Sequence, residues 1–175
     1  MNIFIVDKDP MEAAKLLPDK HVVKMALETC QMLSIIYSPW YHNWGSIHKA
    51  DGTPYATEKG AFRNHPCTKW AAYHSDNLGW LIAHGLGLCF EYTERYDKRH
   101  SCQSTIEEAM SIFHGRGYTI YDYEKVTEFA RAMPDEYKLD TSIDDVLAYR
   151  MYVASKPWVS SNYIRIPSRK PDWVA

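Results

Sequence analysis

The chain has 175 residues, 46% of them hydrophobic, which is enough material to bury the core of a single domain spanning 1–175 without metal or disulfide support. Twenty Lys and Arg against 22 Asp and Glu leave a formal net charge of -2, which argues against a uniformly basic nucleic-acid-binding surface and leaves room for a local basic face. No apolar run approaches the roughly 18 residues that cross a bilayer, no leader-like segment opens the chain, and the cysteines Cys30, Cys67, Cys89 and Cys102 form no close pair, so a cytoplasmic protein with reduced thiols and no membrane partner is expected.

The opening Asn2-Ile3-Phe4-Ile5-Val6 is a β-branched and aromatic run, suited to a short strand or an extended arm anchored by Phe4 and Val6. Asp9-Pro10-Met11-Glu12 follows with a cap residue, a proline at the first helical position and a glutamate at the third, which predicts a short helix to about Leu17. Asp19 is then expected to cap a longer helix to about Tyr37, with Val22, Val23, Ala26, Leu27, Cys30 and Leu33 as its apolar stripe and His21, Lys24, Glu28 and Gln31 on the other face. From Ser38 to Arg63 the periodicity is lost among Pro39, Gly45, Asp51-Gly52, Pro54 and Gly60, which predicts a long ordered loop pinned by Trp40, Tyr41 and Trp44.

His65-Pro66 opens the longest helical segment, to about Lys98, where Gly79, Gly85 and Gly87 weaken the helix and permit close packing or a bend. Further helices are expected at Ser104 to His114, Asp122 to Ala132 and Ser142 to Ala154. In the tail, Pro157, Pro167 and Pro171 alternate with Trp158, Tyr163 and Trp173, a pattern that cannot continue a helix but can lie along a surface with its rings docked. The fold class that results is mostly α, a compact single-domain helical protein with a short extended N-terminal arm and long ordered loops. Phe4, Val22, Val23, Leu27 and Cys30, with several of Trp70, Leu81, Leu88 and Phe90, are its expected core.

Two constellations can carry chemistry. On the second helix, His21, Lys24, Glu28 and Gln31 fall at spacings of three and four, which lines up a carboxylate with two potential cations and a place for an anionic phosphate. An ordinary solvated Lys-Glu pair would share that spacing. Arg63-Asn64-His65-Pro66, followed by Lys69 and Trp70, offers free amides at a helix start together with fixed and switchable positive charge, a phosphate cradle in form; a capped helix with Asn64 bonding locally is the plainer reading. Cys67, two residues from His65, is a candidate reactive thiol only if the helix start depresses its pKa. Zinc and calcium motifs and a glycine-rich phosphate loop are absent, so no metal site and no cofactor are expected.

The series Met1-Asn2-Ile3-Phe4, Leu17-Pro18-Asp19-Lys20 to Glu28, Gly60 to Pro66, Arg116-Gly117-Tyr118, Met133-Pro134-Asp135-Glu136-Tyr137 and Lys170-Pro171-Asp172-Trp173 resembles the pyrimidine-dimer DNA glycosylases of the bacteriophage and bacterial type, over nearly the whole chain. The resemblance implies an all-helical enzyme that flips nucleotides at ultraviolet photoproducts, cleaves the glycosidic bond and then cuts the backbone by a lyase step. The nucleophile it implies is the N-terminal α-amine, here that of Met1, because the bulky Asn2 discourages methionine removal. Glu28 is the implied catalytic carboxylate, and Lys20, Lys24, Arg63, His65 and Lys69 are the implied phosphate contacts. Damaged or modified DNA, or a nucleotide, is the implied partner, in the host cytoplasm if the chain is phage-encoded.

The chain departs from that pattern where Asn2 and Ile3 replace an arginine beside the nucleophile and Leu27 replaces one before Glu28. Two phosphate-binding charges are therefore missing, and the sequence leaves three classes open: a glycosylase/lyase, a binding relative without catalysis, and another nucleotide-processing enzyme on a helical scaffold.

Overall fold

In the computed structural model, which describes residues 1–119, 122 and 124–175, the N-terminal arm threads into the helical core instead of pairing as a strand: Ile3, Phe4, Ile5 and Val6 are all buried. Its backbone is diverted by Asn2, whose Oδ1 accepts the amides of Ile3 at 2.7 Å and Phe4 at 3.1 Å, while its Nδ2 donates to the Ala132 carbonyl at 2.6 Å. Phe4 turns there with a φ of 55°, a left-handed conformation that a bulky side chain adopts only when its surroundings enforce it. Among the described residues there is no sheet, only an isolated bridge between His48 and Pro54.

Seven α-helices form among the described residues: α1 (Pro10–Leu16), α2 (Asp19–Tyr37), α3 (Pro66–Tyr73), α4 (Ser75–Tyr96), α5 (Gln103–Gly115), α6 (Asp135–Lys138) and α7 (Asp145–Ala154). The Asp9 carboxylate caps α1 by accepting from the Met11 and Glu12 amides, as its sequence predicts. Helix α4 lies against α1, α2, α3 and α5, and its glycines make this possible. A Cβ on Gly85 would come within 2.7 Å of Thr29 Cγ2 and 3.0 Å of Ile106 Cδ1, so α2 and α4 approach as closely as they do only because that side chain is absent.

Several expectations are corrected. Asp19 is the first residue of α2, not its cap; Pro18 holds the cap position without a side-chain bond. The amides of Asp19 and Lys20 are instead satisfied from the tail, by the carbonyl and Oδ1 of Asn162, both at 2.9 Å. The Asp19 carboxylate meets Arg95 Nη1 at 3.0 Å and accepts the Ile164 amide at 2.8 Å. The outward stripe of α2 runs through Lys20, Val23, Lys24 and Leu27, with Val23 and Leu27 each 42% exposed, while His21 and Glu28 face inward. The arm causes this inversion: Phe4 stacks on His21 at 4.2 Å and the Asn2 amide bonds Glu28, so the inner positions of the helix are taken by polar groups with ready partners. Phe4, Val22 and Cys30 join one continuous core, as do three of the four later candidates, Trp70, Leu81 and Leu88, while Phe90 is 47% exposed.

The long helix expected from His65 to Lys98 is two helices. His74 interrupts it with an extended φ of -140°, and its Nδ1 accepts the Asp76 amide to cap α4. The helix expected at Asp122 to Ala132 does not form among the described residues of that stretch; Tyr123 lies outside them. Its backbone bonds to neighbouring elements: the Thr127 amide to Asn77 Oδ1, Phe129 to Asp145 Oδ2 and Ala132 to the Tyr149 hydroxyl. With these bonds satisfied by tertiary partners, the segment has no need of helical ones. The last expected helix begins at Asp145, capped by Asp144. The loop from Ser38 to Arg63 is irregular as expected, apart from a 3-10 turn at Ala56–Lys59. Trp44 packs on Tyr37 within it, whereas Trp40 stays half exposed beneath the Arg63 guanidinium.

No helix among the described residues is long and apolar enough to cross a membrane. All four thiols are free.

Candidate active site

The arm delivers the Met1 amine to Glu28. The Met1 side chain is 2% exposed, its Sδ lies against Thr68 Oγ1, and the more exposed part of the residue is its backbone end. The amine nitrogen stands 3.7 Å from Glu28 Oε2, an oxygen that also accepts the Asn2 amide at 2.7 Å. The other oxygen, Oε1, meets Lys24 Nζ at 3.2 Å. Both oxygens of a nearly buried carboxylate are thus held by donors, which fixes its plane relative to the amine.

These groups border a cleft of about 490 Å³ that contains Phe4, Lys20, His21, Tyr152, Lys156 and Trp158 as well. The aromatic members form a chain: Phe4 stacks on His21, and His21 meets the edge of Trp158 at 5.2 Å. Each lysine on this side rests on a ring, Lys20 Nζ 5.0 Å from the Trp158 centroid and Lys156 Nζ 3.8 Å from that of Tyr152. Burial drives the His21 pKa down to about 3, with Lys156 and Lys24 pushing the same way, so the imidazole stays neutral at physiological pH. The charged groups of the cleft are therefore three lysines, the α-amine and one carboxylate.

His65 closes the other side of the amine. Its pKa is lowered by burial first and by the Met1 amine next, against the opposing influence of Glu28 and a hydrogen bond with the Met1 backbone. Its Nδ1 accepts the Cys67 amide at 3.2 Å, so the side chain itself occupies one of the helix-start amides that the sequence offered to phosphate. Cys67 is fully buried with its pKa raised to about 12 by burial, so it is not the activated thiol that its place in the first turn allowed.

The structure thus brings Met1, Lys20, His21, Lys24, Glu28 and His65 together. Arg63 is turned toward Trp40 and the Gly60 carbonyl, and Asn64 and Lys69 are exposed beyond the cleft lining. Sequence reasoning missed Asn2 as the residue that aims the arm, and it missed Tyr152, Lys156 and Trp158. The Lys156-Pro157-Trp158 run was visible, but its position depends on Asn162 bonding the start of α2, which no local pattern shows.

A larger concavity of about 660 Å³ lies around Lys8, Phe129, Arg131 and Asp145. Arg131 bonds Asp145 there together with the carbonyls of Tyr137, Asp140 and Ile143, a brace for the 132–145 segment. Among the described residues no three His, Cys, Asp or Glu side chains are placed to hold a metal ion.

The helical domain thus sets an α-amine beside a nearly buried carboxylate in a cleft lined by three lysines. The family model described as pyrimidine dimer DNA glycosylase matches residues 1–104, which include the amine, Glu28 and His65, and the chain belongs to that family. No curated protein and no solved structure matches the chain.

Proposed function

We propose that the protein is a DNA glycosylase with lyase activity, acting on pyrimidine photoproducts or other modified bases, in which the Met1 α-amine is the nucleophile and Glu28 handles protons. The observation that carries this reading is the 3.7 Å separation of the amine from Glu28 Oε2 at an open cleft with three lysines. The amine, in its neutral form, attacks C1′ of the sugar; the glycosidic electron pair leaves with the base, which takes up a proton. Glu28 accepts a proton from the attacking nitrogen and returns it to O4′ as the sugar ring opens to the protonated Schiff base, and the carboxylate, ionised again, stabilises that cation. Glu28 then takes the C2′ proton, the freed electron pair forms the C2′–C3′ double bond and expels the 3′ phosphate, and water hydrolyses the Schiff base, releasing the sugar fragment and restoring the amine.

The two arginines missing beside the nucleophile and at Leu27 do not leave the site without cations, since Lys24 of α2 and Lys156, just after α7, both line it. A binding relative without catalysis would keep this cleft and form no covalent bond. Untagged protein incubated with borohydride and duplex DNA bearing a cyclobutane pyrimidine dimer, or an abasic site, is expected to form a stable protein–DNA adduct and to nick the unreduced strand. Absence of both on both substrates would overturn the catalytic reading.

A further inference from the structure

We propose that Lys156, held in place by the ring of Tyr152, is a substrate-phosphate contact, and that with Lys20 and Lys24 it makes the cleft a binding site for the phosphodiester of an unpaired nucleotide. The inference deepens the glycosylase reading and rests on it for the identity of the anion. Three observations converge.

First, the ammonium group of Lys156 is fixed. It sits 3.8 Å from the Tyr152 ring centroid and 5.5 Å from that of Phe4, and the side chain is only half-buried, so the charge is presented to the cleft at low entropic cost. Lys20 is presented in the same way on Trp158. Second, the cleft has an uncompensated charge. Lys24 pairs with Glu28, and the Met1 amine lies near the same carboxylate, but among the described residues neither Lys20 nor Lys156 makes an ion pair with an acidic group. Two anchored ammonium groups beside the reacting amine favour an anion that remains charged throughout, as a phosphodiester does. Third, the turn that carries Lys156 and Trp158 is built into the site. Its continuation, through Asn162, bonds the first two amides of α2, and Asp19 accepts the amides of Ile164 and Arg165. The same helix carries His21, Lys24 and Glu28, so this turn and the catalytic carboxylate share one frame.

Residues 1–104 match the family, and Lys156 lies outside them, so this contact belongs to the chain's C-terminal part. Tyr152 and Trp158 act as positioning residues in this account, through the lysines they hold.

The test is fluorescence anisotropy of folded full-length variants with a duplex carrying a tetrahydrofuran abasic-site analogue, titrated over a series of salt concentrations. Lys156→Ala is expected to raise Kd about 5- to 10-fold at low salt and to reduce the log–log salt slope by about 0.9, the value for one phosphate contact. Lys156→Arg should restore the slope, Tyr152→Phe should keep it, and Tyr152→Leu should weaken binding in part. An unchanged Kd and slope for Lys156→Ala overturns the proposal, as does failure of the wild-type protein to bind the duplex at low salt. If the wild-type protein binds but forms no adduct, the catalytic reading fails while the anisotropy result still decides the role of Lys156.

Discussion

The Met1 amine lies 3.7 Å from Glu28 Oε2, and the Asn2 amide bonds that same oxygen at 2.7 Å, so consecutive nitrogens of one arm converge on one carboxylate. Replacing Glu28 with glutamine keeps the size and an acceptor for Asn2 but removes the proton-accepting charge. We expect Glu28→Gln to lower the rate of base release about 10²- to 10⁴-fold. Melting of the variant should stay within a few degrees of wild type; a fully active Glu28→Gln protein would remove the carboxylate from the mechanism.

Gly85 is the contact at which α4 meets Thr29, the residue after Glu28. Gly85→Ala gains up to about 1 kcal/mol in helix propensity, but its Cβ would press on Thr29 Cγ2 at 2.7 Å, and such overpacking costs about 1–3 kcal/mol. A net loss of stability in urea is expected, with activity falling as α2 shifts. A stabilised variant would show that α2 yields freely at this point.

His84 is wholly buried on Trp80, with neither ring nitrogen hydrogen-bonded among the described residues, and burial lowers its pKa to about 3. An unfolded histidine titrates near 6.5, so between about pH 6.5 and 3 the unfolded chain binds a proton that the folded state rejects. Stability is complete above the unfolded value and falls as the pH drops, by up to about 1.4 kcal/mol per pH unit for this group. His21, with its pKa also lowered to about 3 by burial and two lysines, adds to the same acid loss. His84→Leu should therefore be more stable at pH 7, by about 1 kcal/mol or more, and less sensitive to acid between pH 6 and 4. Equal acid sensitivity of the two proteins in denaturant melts would contradict this.

Arg95 has a fully buried side chain that bonds Glu91, Asp19 and the carbonyls of Lys15 and Leu17. Removing it takes a cation from two buried carboxylates, of which Glu91 keeps Arg169 at 2.8 Å while Asp19, among the described residues, keeps only backbone amides. Arg95→Ala should destabilise the fold by about 3–5 kcal/mol, measured by equilibrium denaturation. A loss below about 1 kcal/mol would mean that the network is dispensable.

The parts of this fold governed by local rules were legible from residues alone. The Asp9-Pro10 cap, the extent of α2, the α5 segment and the irregular 38–63 stretch all follow from capping chemistry, periodicity and turn residues. Where tertiary partners replace local ones, the reading failed. The 124–132 stretch has a helical composition, yet Asn77, Asp145 and Tyr149 take its amides. On α2, apolar Val23 and Leu27 looked like core and polar His21 and Glu28 like surface, because nothing local reveals that Phe4 of the N-terminal arm stacks on one and that Asn2, 26 residues upstream, bonds the other. The site was legible to the extent that it lies on α2 and at the chain start. Lys156 and Trp158 are brought to it by a long-range clasp, and Asn2 was read for its bulk when its side chain directs the arm.

Three lysines surround the same cleft as the Met1 amine, so four nitrogens compete for covalent attachment to the sugar. Protein reduced with borohydride on abasic-site DNA, digested with nuclease and protease and sequenced by mass spectrometry, reports that atom directly. The account predicts the sugar remnant on the α-amine of the Met1 peptide, and its loss when that amine is acetylated. A remnant on Lys20, Lys24 or Lys156, or undiminished trapping after acetylation of the α-amine, would contradict it.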